Sequence, residues 1–188
     1  AMIFWGMGVS QHVHGTDNCR AMISVALMTG QIGREGSGLH PLRGQNNVQG
    51  ASDAGLIPMM YPDYKGVNVA SVKAMFEDLW GTELSDEPGL TVVETMDAVH
   101  DGSVTGMYVE GENPAMSDPD LHHARGALAK LQHLVVQDLY VTETAMYADV
   151  VLPASAWPEK DGTASNTNRT VQMGRQAVNP PGDARQDW

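Results

Sequence analysis

The chain begins with an apolar run, Met2-Ile3-Phe4-Trp5, that reads as a short buried strand and ends in Gly6-Met7-Gly8, a predicted turn. Over residues 16–29 the apolar positions Met22, Val25, Ala26 and Met28 follow helical spacing. Thr16 or Asp17 is the expected N-cap there, and Gly30 the residue just past the end. A glycine-rich passage follows over residues 30–55, with no periodic signal. Helices are predicted at 71–80 and 90–100, on either side of the breaker cluster Ser85-Asp86-Glu87-Pro88-Gly89. Beyond residue 103 the pattern is regular: strand 104–110, helix 119–131, strand 133–138, short helix 142–147, strand 149–152. Strands and helices alternating at these lengths predict an α/β fold with a parallel sheet and right-handed crossovers. From residue 154 onward glycine, asparagine, proline and charge prevail, and the tail reads as loop.

Composition narrows the function classes. The 188 residues are enough for one domain or two small ones. Net charge is −12, and the 11 basic residues form no run, which argues against nucleic-acid binding because phosphate neutralisation needs clustered Lys and Arg. No apolar stretch approaches the roughly 20 residues of a membrane span. Cys19 is the one cysteine, so neither a disulfide framework nor a four-cysteine iron–sulfur site is built from this chain. None of the seven histidines stands at metal-ligand spacing; the adjacent His122 and His123 diverge on a helix. Gly6-Met7-Gly8 lacks the third glycine of a dinucleotide fingerprint, and there is no phosphate-binding P-loop. The start at Ala1, directly ahead of a strand, and the stop at Asp187-Trp188 read as a piece of a longer polypeptide.

Chemistry concentrates in Arg43-Gly44-Gln45-Asn46-Asn47-Val48-Gln49-Gly50, where one arginine precedes four carboxamides within five positions. Carboxamides both donate and accept, which suits the mixed polar edge of a heterocycle. The guanidinium is a permanent planar fork able to hold a small carboxylate through two parallel hydrogen bonds. On residue types alone, a solvated polar loop with a surface arginine fits equally well.

Together with Phe4-Trp5-Gly6-Met7-Gly8-Val9-Ser10-Gln11-His12 upstream, this loop resembles the catalytic subunit of molybdenum- or tungsten-dependent formate dehydrogenases. These are members of the bis-molybdopterin-guanine-dinucleotide oxidoreductases. The resemblance continues through Leu27-Met28-Thr29-Gly30, Gly111-Glu112-Asn113-Pro114, Ala148-Asp149-Val150-Val151-Leu152-Pro153 and Trp157-Pro158-Glu159-Lys160-Asp161-Gly162, essentially the whole chain. The arginine–amide run points to formate dehydrogenases; the other motifs are shared with the wider family, including nitrate reductases and the non-catalytic scaffold subunit of respiratory complex I.

The resemblance implies doubly wound, dinucleotide-binding-like α/β layers from a multidomain molybdopterin oxidoreductase. Residues 1–43 would close one α/β domain and carry the active-site arginine, 44–153 would form a second, cofactor-binding domain, and 154–188 would begin a loop-rich segment. Arg43 would be the catalytic residue, orienting formate for two-electron oxidation to carbon dioxide or the reverse. Gln45 would bond the pterin, and Met7 and Gln11 would add cofactor contacts, although Met7 is otherwise an ordinary core filler.

Ligands in open parallel sheets bind beyond the carboxyl ends of the strands, where strand 104–110 delivers Gly111, Glu112 and Asn113 and the next strand delivers Gln137 and Asp138. By resemblance these loops contact guanine or ribose, since a carboxylate accepts from the guanine N1–H and 2-amino groups. Read alone, the first loop is an ordinary turn and Asp138 a helix N-cap. Lys160 would pair with pyrophosphate, or else is solvated between Glu159 and Asp161; Asp187 matches a further cofactor contact. The implied cofactors are bis-molybdopterin guanine dinucleotide with molybdenum or tungsten, and a 4Fe-4S cluster. The metal's cysteine or selenocysteine ligand and the cluster's ligands are expected outside this chain, which leaves it inactive alone. Implied partners are formate and carbon dioxide and electron-transfer subunits carrying iron–sulfur or NAD-reducing flavin groups, in a cytoplasmic enzyme.

Overall fold

The computed structural model describes residues 1–188, which form two compact units, Ala1–Gln49 and Gly50–Trp188. In the first unit, strand β1 (Met2–Trp5) leads into a four-residue helix α1 (Met7–Ser10) and then helix α2 (Gly15–Met28). The chain returns as β2 (Gly38–Pro41), parallel to β1 in the register Met2 to Gly38 through Trp5 to Pro41. This strand–helix–strand arrangement brings the carboxyl ends of both strands to one edge.

Gly6-Met7-Gly8 is therefore not a tight turn: Gly6 is extended at φ −129° and N-caps α1. The start of α2 also differs, since His14 occupies the N-cap position without a side-chain bond and neither Thr16 nor Asp17 caps. Packing decides this, because Gly15 lies against the end of α1, where an added Cβ would stand 1.8 Å from the Ser10 carbonyl oxygen. Asp17 instead occupies the first turn and pairs with Arg20 at 3.3 Å. The far end follows expectation. Gly30 is left-handed at φ 63°, its N–H donates to Leu27 and the Gln31 N–H donates to Ala26, a Schellman motif.

The glycine-rich passage conceals β2 and helix α3 (Val48–Asp53). A four-residue strand carrying histidine and ending in proline has too little apolar periodicity to be read from sequence.

The second unit opens with a small antiparallel ladder, β3 (Met60–Tyr61) against β4 (Lys65–Gly66). Helix α4 (Ala70–Trp80) ends at left-handed Gly81 and packs Phe76 and Trp80 on Tyr61, with ring centroids 4.8 and 5.9 Å away. Helix α5 (Val92–Asp101) starts in a capping box: Glu94 N–H donates to the Thr91 hydroxyl, and Thr91 N–H donates back to the Glu94 carboxylate at 2.8 Å.

A three-stranded parallel sheet follows, as the alternating pattern predicts. It comprises β5 (Gly106–Glu110), β6 (His133–Asp138) and β7 (Val150–Pro153) in the order β5-β6-β7. The predicted helix 119–131 is shortened to α7 (Leu121–Leu128), because Asp120 is left-handed at φ 48° and caps it, and a separate short helix α6 (Pro114–Ser117) precedes it. The predicted helix 142–147 shrinks to one 3-10 turn, Ala145–Tyr147. Met96 and Val99 of α5, Val109, Leu134 and Val136 of the sheet, and Ala127 and Leu128 of α7 form the core. Alternation along β5 and β6 turns those strand residues to the helices. The tail is more ordered than its composition suggests: β8 (Gly162–Ser165) and β9 (Val171–Gly174) form an antiparallel hairpin.

Candidate functional site

In the first unit, the loops leaving β1 and β2 meet at the carboxyl edge, tied by a Leu42 N–H to Trp5 carbonyl bond of 2.7 Å. They enclose a cavity of about 400 Å³ whose wall includes Met7, Cys19, Arg43, Gln45 and Val48. Three of the residues singled out from sequence, Met7, Arg43 and Gln45, thus converge on one space. Gly44 makes this possible: an added Cβ would lie 3.0 Å from the Met7 methyl group, so the thioether packs directly on the loop backbone. None of the ion pairs in the structure involves Arg43, which leaves its charge available to an anion at the cavity mouth. Gln11 is not part of this wall. It ends α1 through a backbone bond to Met7, and its side chain is exposed. Cys19 carries no local motif; the packing of α2 turns it toward the loop.

In the second unit, the carboxyl edge of the sheet gathers Gln137, Lys160 and Asp187. The Gln137 amide is buried and donates from Nε2 to the Asp187 carbonyl at 3.0 Å and to the Glu110 carboxylate at 3.3 Å. Its Oε1 accepts from the Tyr108 hydroxyl, which fixes the orientation of the amide. Lys160 forms an ion pair with Asp187, both side chains about a quarter exposed. Tyr108 had no local signal as a site residue; alternation puts it opposite core-facing Val109.

The loop after β5 turns at Gly111, left-handed at φ 65°, whose N–H donates to the Gln137 carbonyl at 2.9 Å. Asn113 spends its amide internally: Oδ1 accepts from the Thr144 N–H at 3.1 Å and the Thr144 hydroxyl at 2.7 Å. Its Nδ2 donates to the Glu143 carboxylate at 2.8 Å, which holds that carboxyl below its ordinary pKa. Glu112 lines a groove of about 460 Å³ beside Glu110, Met107 and Thr95. Asp138 is half-buried and accepts from the next N–H, that of Leu139, at 2.6 Å. Glu112 and Asp138 thus reach the sheet edge without joining the Gln137–Asp187 network.

The edge in the first unit offers a guanidinium with a carboxamide, and the edge in the second offers the buried Gln137 amide beside the half-buried Asp187. No three His, Cys, Asp or Glu side chains cluster as metal ligands. The chain belongs to the molybdopterin oxidoreductase family, whose profile it matches over residues 1–188. Within that family it is 50% identical to the F420-dependent formate dehydrogenase subunit alpha of Methanocaldococcus jannaschii, over 100% of this chain and 28% of that protein. It is 45% identical to the F420-dependent formate dehydrogenase 1 subunit alpha of Methanococcus maripaludis, over 100% of this chain and 27% of that protein. The chain therefore spans little more than a quarter of these relatives. Among solved structures, acetylene hydratase from Pelobacter acetylenicus is similar with a TM-score of 0.48 at 20% identity, covering 64% of this chain and 18% of that one. No helix is long and apolar enough to cross a membrane.

Proposed function

We propose that this chain is a section of the catalytic subunit of a formate dehydrogenase that binds bis-molybdopterin guanine dinucleotide with molybdenum or tungsten. The observation that carries this reading is the convergence of Arg43, Gln45 and Met7 on one cavity beyond the carboxyl ends of β1 and β2. The names of the two methanogen relatives support it.

The residues fit the cofactor's chemistry. Gln45 offers a donor and an acceptor to a pterin edge, and the bare backbone of Gly44 lets Met7 pack against the loop that carries Gln45. In the second unit, Glu112 and Asp138 present carboxylates suited to the N1–H and 2-amino groups of guanine, on loops set by Gly111 and Asn113. Gln137, Lys160 and Asp187 form a polar cluster for the ribose and pyrophosphate part, and Gln11 adds an outer polar contact. The bound metal–pterin group supplies the two-electron redox step.

The chain's own part is to hold and aim the substrate. Formate gives up a proton and two electrons to become carbon dioxide, with no oxygen added. Arg43 grips both formate oxygens in a planar fork, turning the C–H bond inward. A 4Fe-4S cluster held elsewhere in the polypeptide would supply the electron path to partner subunits carrying iron–sulfur or flavin groups, in a cytoplasmic enzyme.

The test is metal analysis and turnover of the intact protein. Stoichiometric molybdenum or tungsten with formate-dependent reduction of a dye or of F420 is the expected result. Nitrate reduction without formate oxidation would move the protein to another branch of the family, and a metal-free protein would make it a scaffold.

A further inference from the structure

We propose that Thr144 is a positioning residue for the two loops that receive the guanine end of the cofactor; this rests on the reading above. Thr144 is completely buried, with 0% of its surface exposed, yet every polar atom that it offers to the loop is used. Its hydroxyl donates to Asn113 Oδ1 at 2.7 Å and accepts from the Ala115 N–H at 3.0 Å. Its backbone N–H donates to the same Asn113 oxygen at 3.1 Å. Asn113 closes the loop after β5, and Thr144 closes the loop after β6. One side chain therefore clasps two connections that are 31 residues apart in sequence, both at the carboxyl edge of the sheet.

The clasp sets a spacing. Glu112 is carried by the first loop and Gln137-Asp138 begin the second, so a ring read by both is recognised only if the loops keep their separation. A hydrogen bond in a dry site is sensitive to such shifts, and one unmatched partner there is expensive. Leu134 and Val136 fix the strands below the edge, but no apolar contact of Thr144 could replace a bond that reaches the opposite loop at Asn113. Thr144 touches no proposed ligand itself and acts through Asn113.

The intact cofactor-loaded enzyme tests this with Thr144→Val, which keeps shape and removes the hydroxyl, and Thr144→Ser, which keeps the hydroxyl. Phe76→Ala, a change in the separate core of Tyr61 and Val67, serves as the stability control. The readout is the rate at which bound nucleotide is lost on dialysis, followed as GMP released from the retained protein by acid hydrolysis, alongside the thermal midpoint. Thr144→Val should lose nucleotide roughly tenfold faster than wild type, and faster than the control even where the control melts lower, while Thr144→Ser stays within about twofold. Equal loss from Thr144→Val and the control, or no rescue by serine, would overturn the role of Thr144. Absence of GMP from the wild-type hydrolysate would sink the dinucleotide reading itself, and that failure is visible before any variant is made.

Discussion

The Met7 methyl group rests 3.0 Å from the point where Gly44 would carry a Cβ, so the thioether seals the loop that presents Arg43 and Gln45. The contact joins the ends of two parallel strands through a flexible side chain and a bare backbone. Gly44→Ala should push the methionine aside rather than unfold the unit. The expected cost is about 1 kcal/mol or less in chemical denaturation, with a several-fold loss of formate turnover per bound metal. Unchanged turnover would mean that Met7 has no part in the site.

Gly15 offers the opposite case. The atom in its way is the Ser10 carbonyl oxygen, 1.8 Å from an added Cβ, and backbone cannot step aside cheaply. Gly15→Ala should destabilise by about 2–3 kcal/mol, read from the urea midpoint at unchanged slope.

Helix α5 depends on its capping box. Thr91→Ala removes the acceptor for the Glu94 N–H and the partner of the Glu94 carboxylate, so a loss of about 1 kcal/mol is expected by the same measurement. Thr91→Ser should be nearly neutral.

Glu143 provides a pH signature of the Asn113 clasp. The Asn113 amide donates to its carboxylate and lowers the folded pKa below the ordinary 4.5. A depressed carboxyl contributes stability that is fully present above 4.5 and lost as pH falls through the lower folded value. Glu143→Gln should therefore flatten that acid limb of the stability curve by lowering the neutral plateau slightly, with stability at low pH little changed. An unaltered acid limb would show that the contact does not persist in solution.

Legibility in the sequence followed the physical range of each signal. Strand 133–138 was readable to the residue because Leu134, Val135 and Val136 form a buried run, and Gly30 was readable because left-handed geometry selects glycine. β2 was not, since its four residues owe their strand conformation to pairing with β1 rather than to their own propensity. The late start of helix 119–131 turned on Asp120 adopting a conformation that no local rule demands. In the candidate sites, Arg43 and Gln45 declared themselves as a motif. Thr144, Tyr108 and Cys19 did not, because their relevance comes from contacts across the fold. Asn113 was legible as a site residue, but its commitment to Thr144 and Glu143 was not.

The most direct measurement is kcat/KM for formate, per bound metal, in the intact enzyme with Arg43→Lys and Arg43→Ala. A guanidinium that grips formate through two bonds predicts a fall of about 10²–10³-fold for alanine and a large part of that for lysine, whose ammonium lacks the planar fork. A lysine variant that turns over formate at nearly the wild-type rate would contradict the account.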